Sequence, residues 1–178
     1  MPTPEATARV RLVFSLFDAD GNGFLEPADF ALMATRTVAA LPGADQRAAR
    51  ELFDAFREYG ETLVSELDTD GDGRVSPEEF TAVVLDPGRF GAAVDRFARA
   101  LSGIGDPDGD GFVTRPDFLA LMTAIGFQRP NIEALFASFE PAGGDRVPAA
   151  AWAAEIRDFY HPDKAGVPGD HLVPGTGA

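Results

Sequence analysis

Apolar residues recur at helical spacing in eight successive stretches, and the stretches fall into four pairs. Val10, Val13, Phe14 and Phe17 form the first stripe, and Phe30, Met33, Ala34 and Val38 its partner. The second pair is Leu52, Phe53, Phe56, Leu63 and Leu67, then Phe80, Val83 and Val84. Phe90, Val94, Phe97 and Leu101 precede Phe118, Leu121, Met122 and Ile125. Ile132, Leu135, Phe136 and Phe139 precede Val147, Trp152, Ile156 and Phe159. Spacings of three and four place each set on one face of a helix, so the pattern predicts an all-α fold with these faces as core. Breakers punctuate it: Leu41-Pro42-Gly43 closes the second stripe, Asp86-Pro87-Gly88 the fourth, and Gly126 offers a left-handed cap to the sixth. Thr3-Pro4 and Asp45 are helix starts, with Thr3 and Asp45 as caps.

Between the two members of each pair lies a polar segment, and three of these four segments share one twelve-residue pattern. Asp68 to Glu79 is the clearest. It places oxygen donors at positions 1, 3, 5, 7, 9 and 12, as Asp68, Asp70, Asp72, the main-chain carbonyl of Arg74, Ser76 and Glu79, with Gly73 at the sharp turn. A hard cation such as Ca²⁺ takes six to eight oxygens, and this spacing wraps one chain segment around it. Asp18, Asp20, Asn22, Phe24 (carbonyl), Glu26 and Asp29 repeat the pattern, as do Asp106, Asp108, Asp110, Phe112 (carbonyl), Thr114 and Asp117. An isolated Asp-x-Asp-x-Asp-Gly also occurs in dockerin-type loops and in solvated acidic turns. Three in phase with amphipathic helices on both sides read as metal loops. The fourth segment has decayed. With Val147 at position 8, it places Glu140 at 1, Ala142 at 3, Gly144 at 5, Asp145 at 6 and Ala151 at 12, and it is expected to hold no ion. β-Branched or aliphatic residues at position 8 suit short strand pairing, Leu25 with Val75 and Val113 with Val147.

Composition adjusts this picture. The 178 residues are 45% hydrophobic, enough for a folded core, and the formal charge is −14. That balance opposes nucleic acid and anionic membrane surfaces and favours cations. Four carboxylates in each loop account for much of it, and three divalent ions would offset nearly half. Cysteine is absent, which removes disulfides, thiolate metal sites and cysteine nucleophiles. The N-terminus lacks a basic segment followed by an apolar run, and no stretch is long and apolar enough to span a bilayer, so the expectation is a cytoplasmic protein with no membrane partner. No nucleophile motif, phosphate-cradling loop or zinc signature is present, and no enzymatic activity is expected. His161 and His171 stand in a Pro/Gly-rich tail and are expected at the surface. The tail is either disordered or packed back through Leu172 and Val173.

Loop starts at residues 18, 68, 106 and 140 describe an internal repeat with a stretched first interval. Four helix-loop-helix units in that arrangement resemble the sarcoplasmic calcium-binding proteins and their bacterial relative calerythrin, over residues 3 to 160. Asp29 at position 12 of the first loop is also similar to that family, as is the tail around Pro168-Gly169-Asp170-His171-Leu172. Bias toward Ala, Gly, Pro, Arg and Asp with little Lys is in keeping with a bacterial member. In the family the second loop is usually decayed and the fourth active; here the second is intact and the fourth decayed, so sites carry over only to loops one to three. The resemblance implies four EF-hand units in two paired lobes, residues 1–86 and 87–160, followed by a tail over 161–178. It further implies a monomeric Ca²⁺ buffer. Asp at position 12 of the first and third loops, one methylene shorter than Glu79, suits the smaller shell of Mg²⁺ as well as Ca²⁺. The alternative is a sensor that recruits a protein partner on binding calcium. Sensors open Met-rich grooves, and this chain has three Met in all.

Overall fold

The computed structural model describes residues 1–67, 71–141 and 143–175. Eight α-helices lie among them, in the four predicted pairs. The first pair is α1 (Pro4–Phe17) and α2 (Pro27–Ala39), and the second α3 (Gln46–Leu67) and α4 (Pro77–Val84). Then come α5 (Pro87–Ile104), β1 (Phe112–Thr114) and α6 (Arg115–Ile125), followed by α7 (Arg129–Ser138), β2 (Arg146–Pro148) and α8 (Ala149–Phe159). A single 3₁₀ turn, Pro168–Leu172, ends the described chain.

Local chemistry sets the helix ends. Thr3 accepts from the Ala6 backbone N–H at 3.0 Å, and Gly126, at φ 116°, closes α6 in the left-handed region. The Asp86 carboxylate accepts from the Gly88 N–H at 2.9 Å, so the residues that end α4 start α5 at once. α5 stops at Ile104, one residue earlier relative to its loop than α1 and α3. Packing accounts for the glycine that follows: a Cβ on Gly105 would stand 3.1 Å from Val113 Cγ1 and 3.2 Å from Trp152 Cζ3.

Loops meet as expected. Leu25 and Val75 exchange both backbone hydrogen bonds, at 2.9 and 3.0 Å. β1 and β2 run antiparallel with Val113 opposite Val147. Above this the apolar faces merge into one continuous core. The broadest helix contacts are α3 with α5, α2 with α3 and α5 with α8. At their meeting point Tyr59, fully buried, has ring contacts with Phe17, Phe30, Phe90, Phe97 and Tyr160. Its hydroxyl lies 3.2 Å from that of Tyr160.

Two expectations are corrected, and an open one is decided. Phe53 is 40% exposed, because the inward stripe of α3 runs Leu52, Phe56, Tyr59 and Leu63 and leaves the residue beside Leu52 outside. His171 is exposed as expected, but His161 is half-buried, its Nδ1 accepting from the Asp163 N–H. The tail packs: Leu172 is 4% exposed, while Val173 is only half-buried. Arg9 holds it there. This fully buried side chain donates to the carbonyls of Phe159 (2.7 Å), His161 (3.3 Å) and Lys164 (3.0 Å) and pairs with Asp170.

Candidate metal centres

Each loop turns on hydrogen bonds from its own backbone to its own acids. In the first, Asp18 accepts from the N–H groups of Asn22 and Gly23 at 3.1 and 2.9 Å, and Asn22 accepts from Phe24 at 2.9 Å. The third repeats this atom for atom. Asp106 accepts from Asp110 (3.0 Å) and Gly111 (2.9 Å), and Asp110 accepts from Phe112 (2.9 Å). In the second, Asp72 accepts from the Arg74 N–H at 2.8 Å; Asp68 and Asp70 lie outside the described residues. Gly23 and Gly111, at φ 86° and 85°, supply the left-handed turn that brings positions 1 and 5 together.

The result is two groups of carboxylates. One oxygen each from Asp18, Asp20 and Asp29 lies within 4.8 Å of the others, and so does one each from Asp106, Asp108 and Asp110. Asp117 stands outside the second group. The donors are hard oxygens, without histidine or cysteine, on loops open to water on one side. That chemistry fits a hard divalent cation and does not fit zinc.

Positions 9 and 12 serve a second purpose. Position 9 is the N-cap of each exit helix (Glu26, Ser76, Thr114), and position 12 is the third helical residue. Asp29 accepts from the Glu26 N–H at 2.9 Å, and Glu79 from the Ser76 N–H at 2.8 Å. The Ser76 hydroxyl accepts in turn from the Glu79 N–H, which completes a capping box. Burial raises the pKa of Asp29 from its ordinary value, against the N–H groups of Glu26 and Ala19 and with Asp20 and Asp18 adding to the rise. Asp108 is lowered, chiefly by the N–H of Asp110.

The fourth loop is built otherwise. Asp145 takes a left-handed backbone, φ 56°, at the turn position. Its carboxylate is gripped by both arms of Arg115, at 2.5 and 2.9 Å, and this pairing holds its pKa down. The sequence pattern did not reveal how two position-7 arginine side chains reach the facing loop. Arg74 pairs with Glu26 at 2.8 Å and Arg146 with Asp110 at 2.7 Å. Their signal was position 7, occupied by Phe in loops one and three and by Arg in loops two and four.

Paired helices around acidic twelve-residue loops, joined by a short backbone pairing, define a class: this chain is an EF-hand protein. Residues 7–85 match the family of EF-hand domain pairs. Its kinship with calerythrin, expected from the loop pattern, is borne out. The chain is 28% identical to calerythrin of Saccharopolyspora erythraea over 168 residues, 90% of this chain and 94% of that one. It is also similar in structure to a Streptomyces coelicolor calcium-binding protein, with TM-score 0.72 and 27% identity over 89% of this chain and 99% of that one. Calcium-loaded apo-aequorin from Aequorea victoria shares the fold, with TM-score 0.69 at 15% identity over 92% and 94% of the two chains. Among the described residues no helix is long and apolar enough to cross a membrane.

Proposed function

We propose that this calcium-binding EF-hand protein is a cytoplasmic, monomeric, non-enzymatic buffer of Ca²⁺ and Mg²⁺. Its three active sites would be the loops at 18–29, 68–79 and 106–117. The fourth loop contributes no site, since positions 3, 5 and 12 are Ala142, Gly144 and Ala151, and the one Asp it has, at the turn, is paired with Arg115. Tyr59 is the observation that carries the buffer reading. A sensor must swing its helices apart to expose a groove. Here α1, α2, α5 and the end of α8 converge on one fully buried ring of α3 that touches five others, and swinging these helices apart would break that packing. Ion binding then completes and stiffens a closed fold. With free ion at 100 times Kd, each site adds roughly 2.7 kcal/mol of stability.

A sensor role is the second reading. What favours it is the Streptomyces coelicolor relative, whose structure is described as a basis for prokaryotic calcium-mediated regulation. Calcium titration by calorimetry, with and without millimolar Mg²⁺, should give three binding steps, of which the first- and third-loop steps weaken in Mg²⁺. A hydrophobic dye should bind the metal-free form more than the calcium form. Stronger dye binding with calcium, together with calcium-dependent capture of a defined protein partner, would replace the buffer by the sensor.

A further inference from the structure

Arg146 belongs to the loop without an ion-binding set, yet its guanidinium reaches one that has it. Three features hold it there. Its backbone lies in β2 opposite Thr114, its guanidinium stacks 4.2 Å from the centre of the Phe112 ring, and Nη1 donates to Asp110 Oδ2 at 2.7 Å. Asp110 is one of the three carboxylates gathered in the third loop. Its other oxygen takes the Phe112 N–H that shapes the turn. Nε is buried without a partner among the described residues, so the stacked pose serves the contact to Asp110 and not the full donor set of the arginine. Arg74 makes the corresponding contact in the other pair, over Phe24, but to Glu26, which is outside the gathered carboxylates of the first loop.

We propose that Arg146 is a tethered counter-cation of the third site. It stands in for the ion a fourth loop would have brought, steadies the third-site carboxylates when no metal is bound, and lowers their affinity for divalent cations. The inference rests on reading residues 106–117 as a metal site. A fixed positive charge one carboxylate away from a bound dication, at the dielectric of a wet surface, corresponds to about a tenfold change in binding. The repulsion scales with the charge of the ion and is screened by salt.

The test is Arg146→Met, which keeps the apolar stem on Phe112 and removes the charge. Trp152 is the sole tryptophan and packs beside Gly105 and Val113 at the third loop, so its fluorescence reports this site. Calcium affinity at the Trp152-reported step should rise by about tenfold, Tb³⁺ affinity by on the order of thirtyfold, and both gains should shrink in high salt. Arg146→Lys should stay close to wild type. Arg99→Met, which removes the same charge from the outer face of α5, should leave the step unmoved. A step unchanged or weakened in Arg146→Met, or equal gains for Ca²⁺ and Tb³⁺, would overturn the proposal. So would a gain in Arg146→Lys as large as that of Arg146→Met. Failure of the underlying reading looks different: the wild-type protein would then show no Trp152-reported calcium step at all.

Discussion

At the residue scale, Glu79 does two things that a single substitution separates. It caps α4 through the Ser76 N–H, and it is the one position-12 Glu in the three loops. Glutamine keeps a capping box intact but cannot give an ion two anionic oxygens. Glu79→Gln is therefore expected to weaken the tightest calcium step by roughly tenfold or more while the metal-free protein melts within a degree or two of wild type. Calorimetry and a chelator-treated melt check the two halves. Loss of that step in Asp117→Asn instead would reverse the ranking of the sites. Position and residue type were legible here because the loop chemistry is local. The role of Arg146 was not, because a side chain's reach across a strand pair depends on register, which only folding sets.

At the element scale, α2 and α3 approach so closely that the middle of a helix carries a glycine. A Cβ on Gly60 would stand 2.7 Å from Cδ2 and 2.9 Å from Cγ of Phe30, a ring that is 2% exposed and wedged against Phe17 and Tyr59. Helix propensity alone favours alanine by about 1 kcal/mol. Overpacking should outweigh it, so Gly60→Ala is expected to destabilise by about 1–3 kcal/mol, read by urea unfolding in saturating calcium. Helical periodicity located both helices and most of their buried faces. It missed Tyr59 and included Phe53, because the wide stripe of a long helix does not reveal which edge its neighbours will cover.

At the scale of the whole molecule, the tail completes the core on one side of α8. Gly169 donates to Glu155 Oε1 at 2.5 Å, and a Cβ there would meet that carboxylate and the Phe159 ring. Glu155 is 7% exposed, and its pKa is raised to about 7. Burial is the main cause, with nearby Asp158 and Asp170 adding to it and Arg9 and the Gly169 N–H opposing it. A carboxyl whose folded pKa exceeds its unfolded one favours folding at low pH, and that contribution is lost as pH rises through the folded value. Glu155→Gln should therefore stabilise the protein by about 1–3 kcal/mol at pH 8 and change little near pH 5, as read from melting across that range. An equal effect at both pH values would point to packing and not to charge.

The sequence by itself determined the eight helices, the acidic twelve-residue pattern of three loops, the departure of the fourth from that pattern and the pairing of Val113 with Val147. Each is a matter of spacing within about a dozen residues, where periodicity and turn chemistry act directly. Tertiary structure alone decided that the four helix pairs share one core, that Arg9 buries its charge to fasten a tail more than 150 residues away, and that an arginine of the fourth loop reaches an acid of the third. Those contacts join residues distant in sequence, and their energy depends on which groups lose water together, a property of the packed chain and of no local segment.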